Sequence, residues 1–350
     1  MSTDALPRLM PGDPAPWFHA VHRGNPRFAF PSVAGRYVVL AFPGPAEQAA
    51  AHGALLAARN AGLLDDGRAT ALLLSPAAGF DEALPDALPG LRVMLDADRQ
   101  VAIGYGARER PLAFLLDPLL RIVACGPLAE LPSILSLLPR LPPPALHAGQ
   151  ESPAPVLLLP RILEPEFCRQ LIALYEAQGG EESGFMVAEG ARTVGRLDRN
   201  HKVRRDLLIE DAQVQAQLRA RIQRRLVPEI QKAFQFRATR IERYIVACYD
   251  AAEGGHFRAH RDNTTPGTAH RRFAVTINLN DSFEGGELWF PEFGPRRYRP
   301  PMGGACVFSC SLLHEATPVT RGTRYATLPF LYDDAAAALR DANRHSIVSA

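Results

Sequence analysis

The sequence predicts an α+β chain of two domains, an α/β layer structure followed by an all-β barrel or jelly roll behind a helical preface. Three observations carry this. Strand-like and helix-like stretches alternate through the first part, and the proline-rich stretch "PRLPPPALHAGQESPAPV" interrupts them. From Arg240 onward, short runs of period two separated by Gly-rich turns replace helical spacing. The 350 residues suffice for two domains.

In order along the first part, Tyr37 to Phe42 ("YVVLAF") reads as a buried strand and Ala46 to Asn60 as an Ala-rich helix. Thr70 to Leu74 and Leu112 to Leu116 read as further strands, and Leu128 to Leu138 as a closing helix. Pro139 to Val156 holds six prolines with Gly and polar residues, the composition of a linker. The expected division is residues 1–145 for the first domain, 139–156 for the linker, 153–334 for the second domain and 335–350 for a C-terminal tail. In the second domain, Glu164-Pro165-Glu166 opens a helix over "FCRQLIALYEA", with proline in the first turn and acids beside it. Val214, Leu218, Ile222 and Leu226 recur at i+4 and mark an amphipathic helix that breaks near Pro228. Phe273, Val275, Ile277 and Leu279 then alternate with Ala274, Thr276 and Asn278, a strand with a polar second face. Gly285-Gly286 and Gly303-Gly304 mark turns among the short strands that follow.

Composition is that of an ordinary globular chain, 47% hydrophobic and 22% charged, and the formal net charge of +2 favours neither nucleic acid nor a membrane surface. Only Lys202 and Lys232 are lysine, so 37 of the 39 basic residues are arginine, and arginine clusters carry correspondingly less functional weight. Five cysteines (Cys125, Cys168, Cys248, Cys306, Cys310) form no CxxC pair; scattered through apolar runs, they fit reduced, mostly buried thiols. The N-terminal residues lack a basic start followed by an apolar core, and no apolar run approaches the roughly 20 residues of a membrane span. A cytoplasmic protein is expected.

The chemistry-bearing stretch is "GHFRAHRDN", residues 255–263, with two histidines and an aspartate inside seven residues. On a strand, the i, i+2 spacing of His260 and Asp262 turns both side chains to one face. His314 in "SLLHEATPV", at the end of the strand-like "GACVFSCS", supplies a third donor. Two histidines and one carboxylate with open positions fit non-haem Fe(II) better than the closed structural sites of zinc. Arg324 follows ten residues after His314. A guanidinium lining a barrel needs an anion, and its planar fork suits a carboxylate, such as the far end of 2-oxoglutarate.

Tyr249, His260-x-Asp262, "GGELWFP", His314 and Arg324, in this order, resemble the prolyl 4-hydroxylase-like branch of the 2-oxoglutarate/Fe(II) dioxygenases. The resemblance covers roughly residues 155–333 and takes in "KVRRD" at 202–206. It implies a double-stranded β-helix in which His260, Asp262 and His314 bind Fe(II). Arg324, assisted by the Tyr249 hydroxyl, would hold 2-oxoglutarate, and O2 would be the second cosubstrate, with ascorbate as an optional reductant. The implied reaction is hydroxylation of an unactivated C–H, in a protein residue or a small molecule, with release of succinate and CO2. Asp262 fills the carboxylate position, leaving no place for a halide.

Other residues have a plainer reading beside the functional one. Asn278 is a candidate for the cofactor pocket, the alternative being that it satisfies backbone groups. His256 is expected at a turn or rim, His270 on a solvated loop, and Trp289 in barrel packing. Arg258, Arg261, Arg271, Arg272, Arg296, Arg297 and Arg299 are expected on a solvated surface rather than as a rim that attracts an acidic substrate.

The first part has its own resemblance. "PGDPAPWF", "GRYVVLAFPG" and "VMLDADRQVAIGYGA" are similar to a peroxiredoxin-type, thioredoxin-like fold over roughly residues 8–140. Peroxiredoxins carry Pro-x-x-x-Thr/Ser-x-x-Cys after the first buried strand. Here Pro43 aligns, but Glu47 replaces the hydroxyl residue and Ala50 the cysteine. Arg110 matches the family's arginine, and Cys125, the one cysteine in this part, lies far downstream. Without a thiolate nucleophile no peroxidase chemistry is expected. The rival to an enzyme is a binding or scaffold protein with a degenerate redoxin domain and an idle metal-binding barrel.

Overall fold

The structure is a computed structural model that describes residues 9–190 and 192–348. It divides into two compact units, Met1–Ser152 with Pro291–Pro295, and Pro153–Phe290 with Arg296–Ala350.

The first unit is built on a seven-stranded sheet. Its spatial order is Asn25–Ala29, His19–His22, Leu91–Leu95, Ala69–Ser75, Tyr37–Phe42, Leu112–Leu116 and Ile122–Pro127. The three middle strands Leu91–Leu95, Ala69–Ser75 and Tyr37–Phe42 are parallel; Leu112–Leu116 runs antiparallel to them, and Ile122–Pro127 antiparallel to Leu112–Leu116. Tyr37–Phe42 and Ala69–Ser75 are buried along their whole length, which is why they read as unbroken apolar runs rather than alternating ones. The helix Gln48–Asn60 turns Ala51, Leu55 and Ala58 onto one face of the sheet. The short helix Gln100–Gly104 is held by Asp96, whose carboxylate oxygens accept from the Val101 and Ala102 amides at 3.0 and 2.8 Å. The closing helix expected over 128–138 is shorter. A 3-10 turn at Leu128–Glu130 leads into Leu131–Leu135, and a second 3-10 turn follows at Leu138–Arg140. Pro132 can open a helix but Pro139 cannot continue one, since it offers no N–H to the preceding turn. The strands His19–His22, Asn25–Ala29, Leu91–Leu95 and Ile122–Pro127 were not anticipated from the sequence, because polar residues, Gly or Pro interrupt them.

The second unit is a β-sandwich with helices on one outer face, a mixed α+β arrangement consistent with a jelly roll. One sheet orders Lys202–Val203, His256–His260, His314–Ala316, Leu288–Trp289 and Arg297–Tyr298. The larger one orders Arg240–Glu242, Phe330–Tyr332, Phe273–Asn278, Thr323–Thr327, Ile245–Asp250, Arg205–Leu208 and Glu181–Glu182, with Ala305–Ser309 paired to Phe273–Asn278. The helices Pro165–Gln178, Ala212–Arg225 and Val227–Phe234 bury Leu171, Leu218, Ile222 and Ile230 against the outer face of this sheet. There they meet Val246, Cys248, Val275 and Ile277. The period of two then sends Ala247, Tyr249, Thr276 and Asn278 to the inner face. That face is closed too, so the polar side of Phe273–Asn278 is buried, not solvated. Beyond Tyr332, the residues expected as a tail form the helix Asp334–Ala342 and the strand Ile347–Val348, which pairs in parallel with Arg192–Arg196. Among the described residues no helix is long and apolar enough to cross a membrane.

One buried ion cluster anchors the sandwich. Glu242 accepts from His270 Nε2 and Arg271 Nη2, each at 2.6 Å. His270 is therefore a core residue and not the solvated loop residue expected from its polar context. Burial alone would raise the Glu242 pKa, but His270 and Arg271 hold it well below the usual carboxylate range. Since its unfolded value is about 4.3, the stability it contributes is complete above that pH and declines as the pH falls further. Glu242→Gln is expected to destabilise the protein at pH 7 by on the order of 3–5 kcal/mol, by leaving Arg271 buried and unpaired. Urea denaturation should show that gap narrowing as the pH falls below about 4, because the carboxylate of the unfolded chain takes up a proton while the folded one stays ionised.

Candidate metal centre

His260 ends the strand His256–His260, and His314 opens His314–Ala316. The two are register partners in an antiparallel pair, so their rings emerge side by side with centroids 4.3 Å apart. Asp262 lies just past the strand rather than on it, and its amide donates to the Cys310 carbonyl at 3.0 Å, which carries the chain on beside the sheet. One oxygen of Asp262 is 3.5 Å from His260 Nε2 and the other 3.4 Å from His314 Nε2. One donor atom from each residue fits within a 4.8 Å cluster.

The backbone fixes which nitrogen faces inward. His260 Nδ1 lies 2.7 Å from the Arg258 carbonyl and His314 Nδ1 lies 3.0 Å from the Leu312 carbonyl. A carbonyl only accepts, so each Nδ1 carries the proton and each Nε2 presents a lone pair to the cluster. Burial, and then the neighbouring His314, pushes His260 down to about 4, so it is neutral at pH 7. An inward Nε2 lone pair from each histidine and a carboxylate oxygen make an N,N,O donor set that fits a divalent transition metal with positions left open. Phe257 stacks on the His260 ring at 3.5 Å and Phe308 packs edgewise on His314 at 4.6 Å, so apolar walls hold both rings in place.

The same cavity reaches Arg324. Arg324 is 2% exposed, the largest of the fully buried side chains. Its Nε donates to Asn278 Oδ1 at 3.1 Å, and its guanidinium carbon lies 5.1 Å from the centre of the Tyr249 ring, on the partnered strand position. Among the described residues, no carboxylate lies within ion-pair distance of it. A buried guanidinium without a counter-charge among the described residues is a candidate site for an anion. Gly286 keeps room for its stem: a Cβ there would stand 3.0 Å from Arg324 Cδ and 2.9 Å from Val319, and the backbone is left-handed at φ +64.

The other candidates fall into place around this axis. Tyr249 lines the cavity and its hydroxyl accepts from Arg204 at 3.2 Å. Asn278 stands behind Arg324 with its other amide end donating to the Pro300 carbonyl at 2.8 Å, so it orients the guanidinium rather than reaching into the cavity. His256 is buried, with its ring nitrogens 2.7 and 3.3 Å from the Gly254 and Asn200 carbonyls. Trp289 is half-buried with Arg297 4.1 Å over its ring. The arginines expected on a solvated surface are in part structural: Arg271 pairs with Glu242, Arg261 donates to the Ser311 carbonyl, and Arg299 donates to the carbonyls of Asp281 and Phe283. Sequence reasoning missed Arg204 and Arg243 as cavity residues. The alternation of Lys202, Arg204 and Asp206 could have pointed to the first; nothing in "RIERYI" marks the second.

Residues 244–332 match the model of the 2OG-Fe(II) oxygenase superfamily. A PKHD-type hydroxylase of Cupriavidus metallidurans is 29% identical over 186 residues, covering 49% of this chain and 75% of that protein. One from a Synechococcus species is 26% identical over 153 residues, covering 41% of this chain and 66% of that protein. A prolyl hydroxylase from Trichoplax adhaerens, solved with a hypoxia inducible factor peptide fragment, superposes with a TM-score of 0.40 at 18% identity, covering 53% of this chain and 86% of that one.

Proposed function

Because the second unit carries a prolyl 4-hydroxylase-like 2OG-Fe(II) oxygenase domain and the protein is an enzyme of the dioxygenase and hydroxylase class using Fe(II), 2-oxoglutarate and O2, we propose that it hydroxylates an unactivated C–H of a protein residue or a small molecule. In this reading His260, Asp262 and His314 hold Fe(II), and Arg324 holds the far carboxylate of 2-oxoglutarate. The observation that carries it is one cavity lined both by a converging N,N,O donor set and by an unpaired buried guanidinium.

When bound, the metal and cosubstrate supply oxidising power, with 2-oxoglutarate converted to succinate and CO2. The chain's own residues bind and orient. The carbonyls of Arg258 and Leu312 keep the Nε2 lone pairs directed inward, while Asn278 and the Tyr249 ring fix the plane of Arg324. Phe257, Leu288 and Phe308 exclude water from the wall beside the donors. Purified protein with Fe(II) and ascorbate should convert 2-oxoglutarate to succinate; protein that binds both without any conversion would favour a binding role instead.

The domain boundaries near 139–156 and the redoxin-like character of the first unit belong to the same proposal, as does a cytoplasmic location, which the five free thiols favour. Ala50 is exposed on the helix Gln48–Asn60, and Cys125 is the one thiol in Met1–Ser152. The full-length protein is therefore expected to consume no hydrogen peroxide in a dithiol-coupled assay. Peroxide reduction abolished by Cys125→Ser would refute a chemically silent first unit.

A further inference from the structure

The cavity holds more positive charge than the metal and cosubstrate can use. Besides Arg324, it is lined by Arg204 and Arg243. Resting on the proposed function, the charges can be assigned. A divalent metal, Asp262, Arg324 and the two carboxylates of 2-oxoglutarate together balance. Arg204 is buried and closes on Asp206 at 2.6 Å, with a second donation to Ser183. That pair is neutral, although Arg204 Nε and Asp206 Oδ1 find no hydrogen-bond partner. Glu242, the next carboxylate, is already engaged by Arg271 and His270. Arg243 is left over: its Nη2 stands 3.8 Å from the Asp206 oxygen that Arg204 occupies, and that buried nitrogen has no hydrogen-bond partner. Lys202, whose ammonium donates to Ser183 and to the Gly184 carbonyl, only adds to the excess if charged.

Geometry sets Arg243 apart as well. It occupies the short link between the strands Arg240–Glu242 and Ile245–Asp250, with a left-handed φ of +69 unusual for a residue with a side chain. Its guanidinium lies 5.1 Å from the centre of the Phe330 ring, which fixes the direction of the side chain along the cavity wall. Burial, and then the Arg204 charge beside it, press it down to about 10, as expected for a cation short of an anion.

We propose that Arg243, backed by the Arg204–Asp206 pair, forms a second anion subsite in the cavity, which takes a single carboxylate of the substrate, so that the enzyme acts on acidic substrates. One surplus positive charge matches a carboxylate and leaves a phosphate dianion overcharged. A guanidinium beside an aromatic ring, with free N–H groups, suits a planar carboxylate in shape as well.

The test uses the whole protein loaded with Mn(II) and 2-oxoglutarate, each titrated separately first. N-acetylglycine is the probe, N-acetylglycinamide its uncharged counterpart, and paramagnetic broadening of the probe's proton resonances reports binding near the metal. Expected is saturable broadening of N-acetylglycine alone. Arg243→Gln should weaken it by about tenfold or more, Arg243→Lys should retain most of it, and both variants should keep the wild-type 2-oxoglutarate affinity. Equal broadening by the two probes, unchanged broadening in Arg243→Gln, or a matching loss of 2-oxoglutarate binding in that variant would each overturn the subsite. If Mn(II) and 2-oxoglutarate bind but N-acetylglycine does not, the subsite alone falls. If neither of the first two binds, the proposed function falls and the subsite with it.

Discussion

Replacing Arg324 with methionine is expected to raise the half-saturating 2-oxoglutarate concentration by roughly two to three powers of ten, with metal binding retained. Burial sets the size of this effect. Arg324 is 2% exposed and meets no carboxylate among the described residues, so the cosubstrate's far carboxylate would be its full counter-charge. Removing one partner of a buried ion pair costs about 3–5 kcal/mol, and each 1.4 kcal/mol is roughly a factor of ten. Methionine keeps the length of the stem beside Gly286, so packing survives and the loss is electrostatic. The free protein should even gain stability, because a guanidinium with no counter-charge is removed from the interior. Arg324→Lys should fall between the two, since an ammonium keeps the charge but loses the planar fork. Tyr249→Phe removes one hydroxyl and should cost only about 1 kcal/mol. Calorimetric titration of the metal-loaded variants would measure all three. An unchanged cosubstrate affinity in Arg324→Met would remove this residue from the binding role.

How much of this was legible in the sequence depends on how local each signal is. His260 and Asp262 stand two residues apart, so their proximity survives even though Asp262 leaves the strand. His314 is remote in sequence, and what brings it in is the register that pairs it with His260, which no periodicity reveals. The alternation in Phe273–Asn278 showed two faces correctly. It could not show that the second face was enclosed, because the covering sheet is contributed by strands of two to five residues such as Leu288–Trp289 and His314–Ala316. His270 and Arg271 were misjudged for a related reason: charged neighbours look solvated until Glu242, some 28 residues earlier, is placed against them. Asn278 was placed on the correct face, and its two hydrogen bonds, to Arg324 and Pro300, are what turn it from a cavity group into a support. Arg243 was invisible because its importance is a matter of what it lacks.

Alanine at His260, Asp262 or His314 is expected to abolish 2-oxoglutarate conversion and to weaken Fe(II) binding by more than the 10–100-fold that loss of an outer partner typically causes. Each residue contributes one donor atom and there is no spare: among the described residues these three make the one cluster of histidine, cysteine or carboxylate groups able to hold a metal. The three losses should differ in kind. Removing Asp262 takes away the sole carboxylate in direct contact with both histidine rings, and with it the charge that offsets a divalent cation in a buried site. Removing His260 also frees the face of Phe257 that stacks on it, so that variant should loosen the adjoining wall and lose some thermal stability. Removing His314 opens space beside Phe308 and Phe290 with the same consequence. Asp262→Ala should instead fold at least as well as wild type without metal, because it deletes a buried charge and leaves two imidazoles whose Nδ1 protons are already satisfied. Thermal melting with and without Mn(II) separates these effects. Wild type should gain several degrees with metal, whereas all three variants should gain none. The decisive result is Asp262→Ala: retained turnover, or a retained metal-induced shift in melting, would sink the assignment of these residues as the metal centre.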